Sequence, residues 1–281
     1  MLSPTTFAQT LKKLPPPLYK ALAQKWINYV YPRHVFIELT SKCNLRCSYC
    51  PRPKLSRSLP YRLFKKIVDE ASLYGKVSFS LHLFGEPLLY PRIIEAIRYI
   101  KKRGHAVILT TNGTLLRKYW RDLADVDKII WSYKEGVEVP KELKTWKNFH
   151  VRFFGEAKPG WKRKEVREFH NYGGTMLHSS SYTAKKRYPC YHPFLAPAID
   201  SKGQILICCA DPKGRSSVGN IRKMTLQQAW GIMGKTRSNE KKGVHTGICE
   251  ECDVWQTYPN LFFSWQYGTS ASGGSSTQPG G

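Results

Sequence analysis

The chain alternates between β-branched stretches and amphipathic helices, and this order constrains its fold more than any other feature. The first two predicted strands are HVFIEL (34–39) and KVSFSLHLFGEP (76–87), and a predicted helix at 60–75 separates them. A second helix, PRIIEAIRYIKKRG (91–104), begins with a proline and ends with basic residues and a glycine. Because strands that alternate with helices form parallel sheets with right-handed crossovers, the pattern predicts an α/β protein.

Later segments continue the same order. The predicted third to sixth strands are HAVILTTNG (105–113), KIIWSY (128–133), FHVRFF (149–154) and TMLHSS (175–180). Five or six such units are too few for a closed eight-stranded barrel, which leaves a partial barrel or an open parallel sheet. The fold class that we predict is α/β: a partial (β/α)6 TIM-like barrel followed by a small cysteine-rich β-hairpin and helix module. In such folds, active sites lie at the carboxyl ends of the strands.

Changes in the pattern define the predicted domains. Residues 1–33 are predicted to be a helical lead-in with a proline break, and 34–185 the partial barrel. Residues 186–267 are predicted to form the cysteine-rich module, with a hairpin that turns at 200–203. Residues 268–281 form a Gly/Ser-rich tail, which cannot bury enough surface to fold.

The charge balance is strongly basic, since 45 Lys and Arg face 20 Asp and Glu, a formal net charge of +25. Such an excess favours an anionic partner such as nucleic acid, an acidic substrate or an acidic protein, although a solvated basic surface explains it equally well. No segment has the ~20 apolar residues that span a bilayer, and no secretory signal is evident. We therefore expect a cytoplasmic protein without a membrane partner, in which the eight cysteines serve as ligands rather than disulfides.

Three cysteines lie within eight residues, directly after the first predicted strand. The segment CNLRCSYC places Cys43, Cys47 and Cys50 in C-x3-C-x2-C spacing, with no histidine nearby except His34. A closed zinc site has four ligands in tetrahedral geometry, which this segment does not supply. Three thiolates suit an iron–sulfur cubane that keeps one iron open for a substrate or cofactor. The GEP and TNG segments, which follow the second and third strands, are expected at the same rim.

CNLRCSYC resembles the signature of the radical SAM superfamily, and FGEP (84–87) is similar to that family's motif after the second strand. The resemblance implies a catalytic 4Fe–4S cluster held by the three cysteines, with S-adenosylmethionine on the open iron. Reductive cleavage of this cofactor gives a 5′-deoxyadenosyl radical, which abstracts a hydrogen atom from the substrate. The resemblance also implies cofactor contacts: Gly85, Glu86 and Pro87 at the amino group, Tyr49 near the adenine, and Asn112 and Ser132 at the carboxylate and ribose.

A second cysteine set lies in the C-terminal module. Cys190 is followed by twelve residues, Gly203, four residues and Cys208, and Cys249-x2-Cys252 comes later. This spacing resembles that of the SPASM and Twitch modules that follow radical SAM barrels. No cysteine follows Cys252, so the resemblance favours the shorter Twitch form, with one auxiliary 4Fe–4S cluster held by Cys190, Cys208, Cys249 and Cys252. Four cysteines also suit a structural zinc ribbon, which stays an alternative. Cys209 is left over, and we expect it to be a buried neighbour rather than a ligand.

The functional hypothesis is a radical SAM enzyme, an oxidoreductase in peptide or protein modification. A nucleotide, RNA or sugar substrate is an alternative with the same chemistry, and a basic metal-binding module that grips RNA is the competing non-enzymatic class. The expected partners are an acidic electron donor, such as flavodoxin or ferredoxin, and a peptide, protein or small-molecule substrate. The proton donor or acceptor is not identified, since His82, His170 and His178 could equally be structural histidines.

Overall fold

The computed structural model describes most of the chain between residues 32 and 253, namely 32–52, 56–73, 75–167, 171–176, 190 and 192–253. The Gly/Ser-rich tail, almost all of the predicted lead-in, His170 and His178 lie outside the described residues. So do the last four residues of TMLHSS, whose first two residues lie in a turn and a bend.

Nine strands form one sheet within the described residues. They are β1 (His34–Ile37), β2 (Ser78–Ser80), β3 (Ala106–Thr111), β4 (Lys128–Ser132), β5 (Phe149–Phe154), β6 (Lys164–Arg167), β7 (Ala198–Ile199), β8 (Gln204–Leu206) and β9 (Ser217–Asn220). Their order across the sheet is β6-β5-β4-β3-β2-β1-β7-β8-β9. Neighbours from β1 to β6 are parallel, as is the pair β1–β7, whereas β7, β8 and β9 pair antiparallel. The predicted α/β fold with a parallel sheet is confirmed.

Helices and short 3-10 turns connect the strands. The helices are α1 (Tyr61–Ser72), α2 (Ile93–Lys102), α3 (Leu116–Tyr119), α4 (His192–Leu195), α5 (Leu226–Ile232) and α6 (Gly234–Lys241). The 3-10 turns are Pro87–Leu89, Trp120–Leu123, Lys141–Lys144 and Gly247–Cys249. A helix with the length and apolar character needed to cross a bilayer does not occur in the described part of the chain.

The two faces of the parallel sheet differ in chemistry because side chains alternate along each strand. One face contributes to the main apolar core, and its fully buried residues include Phe79, Val107, Leu109, Ile129 and Val151. Burial of each such side chain stabilises the fold by roughly 1.5–3 kcal/mol. The opposite face lines a cavity, and its residues include Ser80, Thr110, Ser132 and Arg152. The sheet therefore presents polar side chains among apolar ones at the place where the fold leaves room for a ligand.

The C-terminal module extends the barrel sheet rather than forming a separate body. Strand β7 pairs with β1, and the predicted turn at 200–203 joins β7 to β8. The buried Glu38 carboxylate accepts hydrogen bonds from the backbone N–H groups of Phe84 (3.3 Å) and Ser201 (3.1 Å), one on each side of β1. Lys66 of α1 donates to the carbonyl oxygen of Ile221 at 2.7 Å. These contacts place the cysteines of the module beside the barrel cavity.

Candidate active site

The three segments that follow β1, β2 and β3 enclose a cavity of about 290 Å³ at the carboxyl ends of these strands. Its lining includes most of the predicted site residues, namely Cys43, Cys47, Cys50, Tyr49, Gly85, Glu86, Asn112 and Ser132. Pro87 does not line the cavity, because it is buried at the start of the 3-10 turn Pro87–Leu89. The rim expected from the order of the strands thus brings together residues that are up to 89 positions apart in the sequence.

The cysteine segment leaves and returns to the sheet at one point, because Leu59 N–H donates to the carbonyl oxygen of Leu39 at 2.8 Å. Within it, Cys50 N–H donates to the carbonyl oxygen of Cys47 at 3.1 Å, which turns the chain between these two thiols. All three thiols are free and half-buried. The pKa of the Cys50 thiol is raised, and partial burial is the largest cause. A bound cation such as iron would lower this pKa.

An amide and hydroxyl network orients Cys43. Asn112 Nδ2 donates to Asn44 Oδ1 at 3.0 Å and lies 3.7 Å from Cys43 Sγ. Asn44 Nδ2 in turn donates to Thr114 Oγ1 at 2.8 Å, and Thr114 Oγ1 donates to Asn112 Oδ1 at 2.7 Å. The segment after β3 is therefore tied to the cysteine segment. Sequence reasoning did not identify Asn44 or Thr114, since nothing in their local pattern distinguishes them from ordinary turn residues.

The buried Glu86 carboxylate joins the second segment to the third. It accepts hydrogen bonds from Leu88 N–H (3.1 Å), Thr111 Oγ1 (2.8 Å) and Asn112 N–H (2.7 Å). Its own backbone N–H donates to the carbonyl oxygen of Lys42, also at 2.8 Å. Burial raises the pKa of Glu86, and these hydrogen bonds oppose that rise. The geometry makes Glu86 a positioning residue, and its contact with a cofactor amino group stays a prediction.

Gly85 packs directly against the cysteine segment. A Cβ atom at this position would overlap the carbonyl oxygen of Thr40 and lie 2.8 Å from Ser41 Cα. Only glycine allows the two backbones to approach this closely.

We expect the Gly85→Ala substitution to push the GEP segment away from the cysteine segment, at a cost of roughly 1–3 kcal/mol in the free energy of unfolding. Thermal unfolding measures this as a lower Tm. The control is Gly231→Ala, because a Cβ atom there meets no atom within 4 Å in α5 and should leave Tm equal or higher. Equal Tm values for Gly85→Ala and wild type would contradict the close approach.

The four predicted auxiliary ligands lie near one another, next to the part of the cavity lining formed by Cys209 and Ala210. Cys208 and Cys249 are buried in one small cluster, and the half-buried Cys252 packs against it. Burial raises the pKa of the Cys190 thiol well above its usual value, and nearby Cys208 and Cys252 raise it further. Three buried thiols and one half-buried thiol thus lie near one another, and their joint ligation of one metal centre stays a prediction.

Cys209 differs from its expected burial. It is half-buried rather than buried, lines the main cavity, and places its Sγ atom 3.9 Å from His192 Nδ1. The potential ligand atoms of His192, Cys208 and Cys209 all lie within 4.8 Å of one another. Sequence reasoning did not identify His192, because it follows Cys190 without any recognisable ligand spacing.

We expect Cys209→Ala to leave the iron content of reconstituted protein unchanged, because four other cysteines complete the auxiliary set. Iron and sulfide analysis of the purified variant checks this. Loss of about four irons per chain would show instead that Cys209 replaces one of the four assigned ligands.

A basic surface forms the cavity wall on β5 and β6. Arg152 and Arg167 line the cavity, and the Glu165 carboxylate pairs with Lys128 (2.8 Å), Arg152 (3.2 Å) and Arg167 (3.6 Å). Burial alone would raise the pKa of Glu165, but these cations lower it to about 2. Burial, with Arg152 and Arg167 nearby, lowers the pKa of His82 to about 3. Glu165 is therefore ionised and His82 neutral near neutral pH.

The residues present fit the groups that the cysteine patterns imply. One segment supplies three soft thiolate donors to a cavity whose volume is near the lower end of the ~300–1,000 Å³ typical of small-molecule sites. Next to this segment, the close packing of Gly85 and the hydrogen bond from Asn112 N–H to the Glu86 carboxylate hold the surrounding backbone in place.

Two family models match the chain. The radical SAM superfamily model matches residues 37–153, and the SPASM iron–sulfur cluster-binding domain model matches residues 190–253. The chain belongs to the radical SAM superfamily. Together the two matches cover more than half of the sequence and include all seven predicted cysteine ligands. The radical SAM domain implies S-adenosylmethionine and a 4Fe–4S cluster, and the SPASM domain implies auxiliary iron–sulfur binding, which the zinc alternative does not provide.

Curated relatives share the radical SAM region. The chain is 36% identical over 107 residues to the tungsten-containing aldehyde ferredoxin oxidoreductase cofactor-modifying protein of Pyrococcus furiosus, a match over 36% of this chain and 30% of the relative. It is 33% identical over 90 residues to the subtilosin biosynthesis protein AlbA of Bacillus subtilis, over 31% of this chain and 20% of AlbA. The chain thus spans less than a third of the length of these relatives. A longer match, 25% identical over 241 residues, covers 77% of this chain and 91% of the S-adenosyl-L-methionine-dependent 2-deoxy-scyllo-inosamine dehydrogenase of Niallia circulans.

Solved radical SAM structures share the fold. BtrN in complex with AdoMet and 2-DOIA matches with a TM-score of 0.62 at 20% identity, over 79% of this chain and 93% of BtrN. Streptococcus suis SuiB bound to the precursor peptide SuiA matches with a TM-score of 0.61 at 16% identity, over 84% of this chain and 73% of SuiB. Both likenesses extend beyond the barrel into the C-terminal module, in agreement with the continuous sheet.

Proposed function

We propose that this radical SAM protein cleaves S-adenosylmethionine reductively and oxidises or modifies a peptide or protein substrate by hydrogen-atom abstraction. The observation that carries the proposal is the convergence of Cys43, Cys47 and Cys50 with the segments after β2 and β3 on one cavity. When bound, the cluster and S-adenosylmethionine supply the radical chemistry. The protein's own residues hold these groups, orient them and exclude water.

The hydrogen-bond network around Cys43 is proposed to hold and orient the cluster and the cofactor. Asn112 contacts Cys43 through its side chain and Glu86 through its backbone N–H, so it links the thiol to a buried carboxylate. Ser132, at the end of β4, lines the same cavity and is proposed to contact the cofactor. These contacts support a site that is formed before the cofactor binds.

Aromatic rings are proposed to exclude water from the cavity. The Tyr49 and Phe154 ring centroids are 5.5 Å apart, and those of Phe84 and Tyr172 are 5.9 Å apart. All four rings line the cavity. Burial, followed by contact with Cys47, raises the pKa of Tyr49, so its hydroxyl stays protonated. Tyr49 is thus proposed to supply a neutral flat surface to an adenine ring.

The auxiliary site is proposed to hold one cluster, the Twitch form, at Cys190, Cys208, Cys249 and Cys252. Its role would be electron transfer, since four protein ligands leave no iron open. Cys209, adjacent to Cys208, lines the cavity, so the auxiliary site and the substrate space share a wall.

A peptide substrate is supported by relatives of two kinds. SuiB was solved with its precursor peptide SuiA, and AlbA is named for the biosynthesis of the bacteriocin subtilosin. The net charge of +25 suits an acidic peptide as well as an acidic flavodoxin or ferredoxin as electron donor. A non-enzymatic RNA-binding module is disfavoured, because the chain belongs to a family of enzymes.

A small cyclic alcohol is the second candidate substrate. The 2-deoxy-scyllo-inosamine dehydrogenase match covers almost the whole of that relative, whereas the AlbA match covers a fifth of AlbA. The two candidates differ in product: a dehydrogenase would yield a small ketone, and a peptide-modifying enzyme would change the mass of a peptide.

Anaerobic reconstitution followed by reduction with dithionite tests the proposed function. Protein with both sites loaded should contain about eight irons per chain and release 5′-deoxyadenosine from S-adenosylmethionine. Peptide and cyclitol panels should then separate the two substrate classes by mass spectrometry. Loaded protein that leaves S-adenosylmethionine intact after reduction would overturn the proposal.

A further inference from the structure

Three buried polar atoms on residues that line the cavity have no hydrogen-bond partner in the described part of the chain: Ser80 Oγ, His82 Nδ1 and Thr110 Oγ1. We refer to Ser80, His82 and Thr110 as the polar wall. Native proteins pair almost all buried polar atoms, because an unpaired one is costly. Three such atoms on residues of one cavity are candidates to pair with a polar group of a ligand. None of the three residues belongs to the predicted cofactor contacts.

Apolar neighbours surround the polar wall. In the register of the sheet, Ser80 lies between Phe36 of β1 and Ile108 of β3, and Thr110 lies beside Ile130 of β4. These three apolar side chains line the same cavity. A small polar group of a ligand would therefore find its partners at the wall and an apolar environment around them, which strengthens each hydrogen bond.

The charge next to the polar wall is positive. Arg152, Arg167 and Lys128 all pair with the carboxylate of Glu165, so within this group of four side chains three positive charges meet one negative charge. Arg152 and Arg167 line the cavity, and His82 is close enough to both for them to lower its pKa. Neutral His82 can donate from Nδ1 in one of its tautomers. The wall and its neighbours thus offer donors and positive charge, which together suit an anion.

We infer that the polar wall and Arg167 bind a carboxylate of the substrate, such as an acidic side chain of a peptide. This inference rests on the proposed function and names the substrate group for it. A carboxylate has two oxygens with about four acceptor positions, which match the two hydroxyls, the imidazole and the planar guanidinium. Because a carboxylate carries a single negative charge, Arg167 alone can balance it, and the ion pair between Arg152 and Glu165 stays intact.

Calorimetric titration of anaerobically reconstituted protein, with S-adenosylmethionine present, tests the inference. The probes are two capped pentapeptides, Ala-Ala-Glu-Ala-Ala and its isostere Ala-Ala-Gln-Ala-Ala. We expect the Glu peptide to bind at least about 10-fold more tightly than the Gln peptide, since its carboxylate makes charge-assisted hydrogen bonds. The Arg167→Gln variant should reduce this ratio to about one. The control Arg222→Gln, at an exposed position of the C-terminal module, should preserve it.

Thr110→Val gives an independent readout. The two side chains have nearly the same shape, so the variant removes an unpaired buried hydroxyl without leaving a cavity. We expect an equal or higher Tm in the absence of peptide, together with weaker binding of the Glu peptide. A lower Tm would assign the Thr110 hydroxyl to the fold and overturn its place in the wall.

Failure of the inference is distinguishable from failure of the proposed function, because binding is measured by heat and cofactor cleavage by release of 5′-deoxyadenosine. Equal affinity for the two peptides, no binding of the Glu peptide at millimolar concentration, or no effect of Arg167→Gln would each overturn the inference. Competition by inorganic phosphate that exceeds competition by acetate would assign the wall to phosphate and overturn it as well.

Discussion

Replacing Cys47 by alanine is expected to abolish the cleavage of S-adenosylmethionine and to remove about four of about eight irons per chain. The reason is that Cys47 is the middle residue of the predicted three-thiol set, and the two remaining thiols are too few to hold a cubane cluster. The loss should be complete rather than partial, because no chemistry remains without the cluster. Iron analysis and chromatographic detection of 5′-deoxyadenosine measure the two effects on the same sample.

The matched control for Cys47→Ala is Ser48→Ala, which changes an exposed side chain of the same segment and should retain both iron and activity. The Cys252→Ala variant should lose a different set of about four irons and keep those of the first site. A Cys47→Ala protein that retains all its iron would contradict the assignment of the catalytic cluster to this segment.

The Glu86→Gln substitution is expected to weaken the binding of S-adenosylmethionine by about 10-fold or more while leaving the iron content unchanged. One carboxylate oxygen accepts from Leu88 N–H and Thr111 Oγ1, and the other accepts from Asn112 N–H. A glutamine can place its oxygen at only one of these positions, and its NH2 group then faces a donor. A buried donor left unpaired costs about 1–3 kcal/mol, so the segment after β3 should shift to relieve it. Returning the segment to its place on cofactor binding then costs about 2 kcal/mol, which corresponds to about 30-fold in affinity.

Equilibrium dialysis with labelled S-adenosylmethionine measures the effect of Glu86→Gln on affinity. The control is Glu95→Gln on the exposed surface of α2, which should bind the cofactor like wild type. Unaltered cofactor affinity in Glu86→Gln would show that the position of the segment after β3 does not depend on this carboxylate. Loss of iron would extend its role from the cofactor to the cluster.

The barrel core was predictable because its strands are strongly patterned. Strand β5 (Phe149–Phe154) has the predicted bounds, and β1 to β4 lie within the predicted segments. Since consecutive strands are parallel neighbours, strand order alone located the rim where Cys43, Glu86 and Asn112 meet. Long-range position thus followed from local periodicity and topology.

Strand β6 (Lys164–Arg167) was not predicted, and the sixth strand predicted at TMLHSS lies mostly outside the described residues. The sequence KEVR has one apolar residue and no alternating run, so its strand conformation comes from pairing with β5. The parallel pairing of β7 with β1 was also beyond prediction, because it joins segments about 160 residues apart without a local signal.

The polar wall shows that the alternating pattern of a strand can identify the face that packs on the core without identifying the role of the opposite face. In the predicted strand at 76–87, the apolar residues at alternate positions indicated the core, Ser80 was assigned no role, and His82 was left open between a proton-transfer role and a structural one. Ser80 Oγ and His82 Nδ1 are buried, and both residues line the cavity. An alternating strand in a parallel sheet has polar residues that must face either water or a ligand, and local sequence does not distinguish the two.

The most direct test of the account is electron paramagnetic resonance of the reduced Cys249→Ala/Cys252→Ala double variant, in which the cluster at Cys43, Cys47 and Cys50 is the one expected to remain. We expect a reduced 4Fe–4S signal whose g-values shift when S-adenosylmethionine is added, because the cofactor is proposed to bind the iron that lacks a cysteine ligand. A signal that is unchanged by the cofactor, or a protein without a reducible cluster, would contradict it.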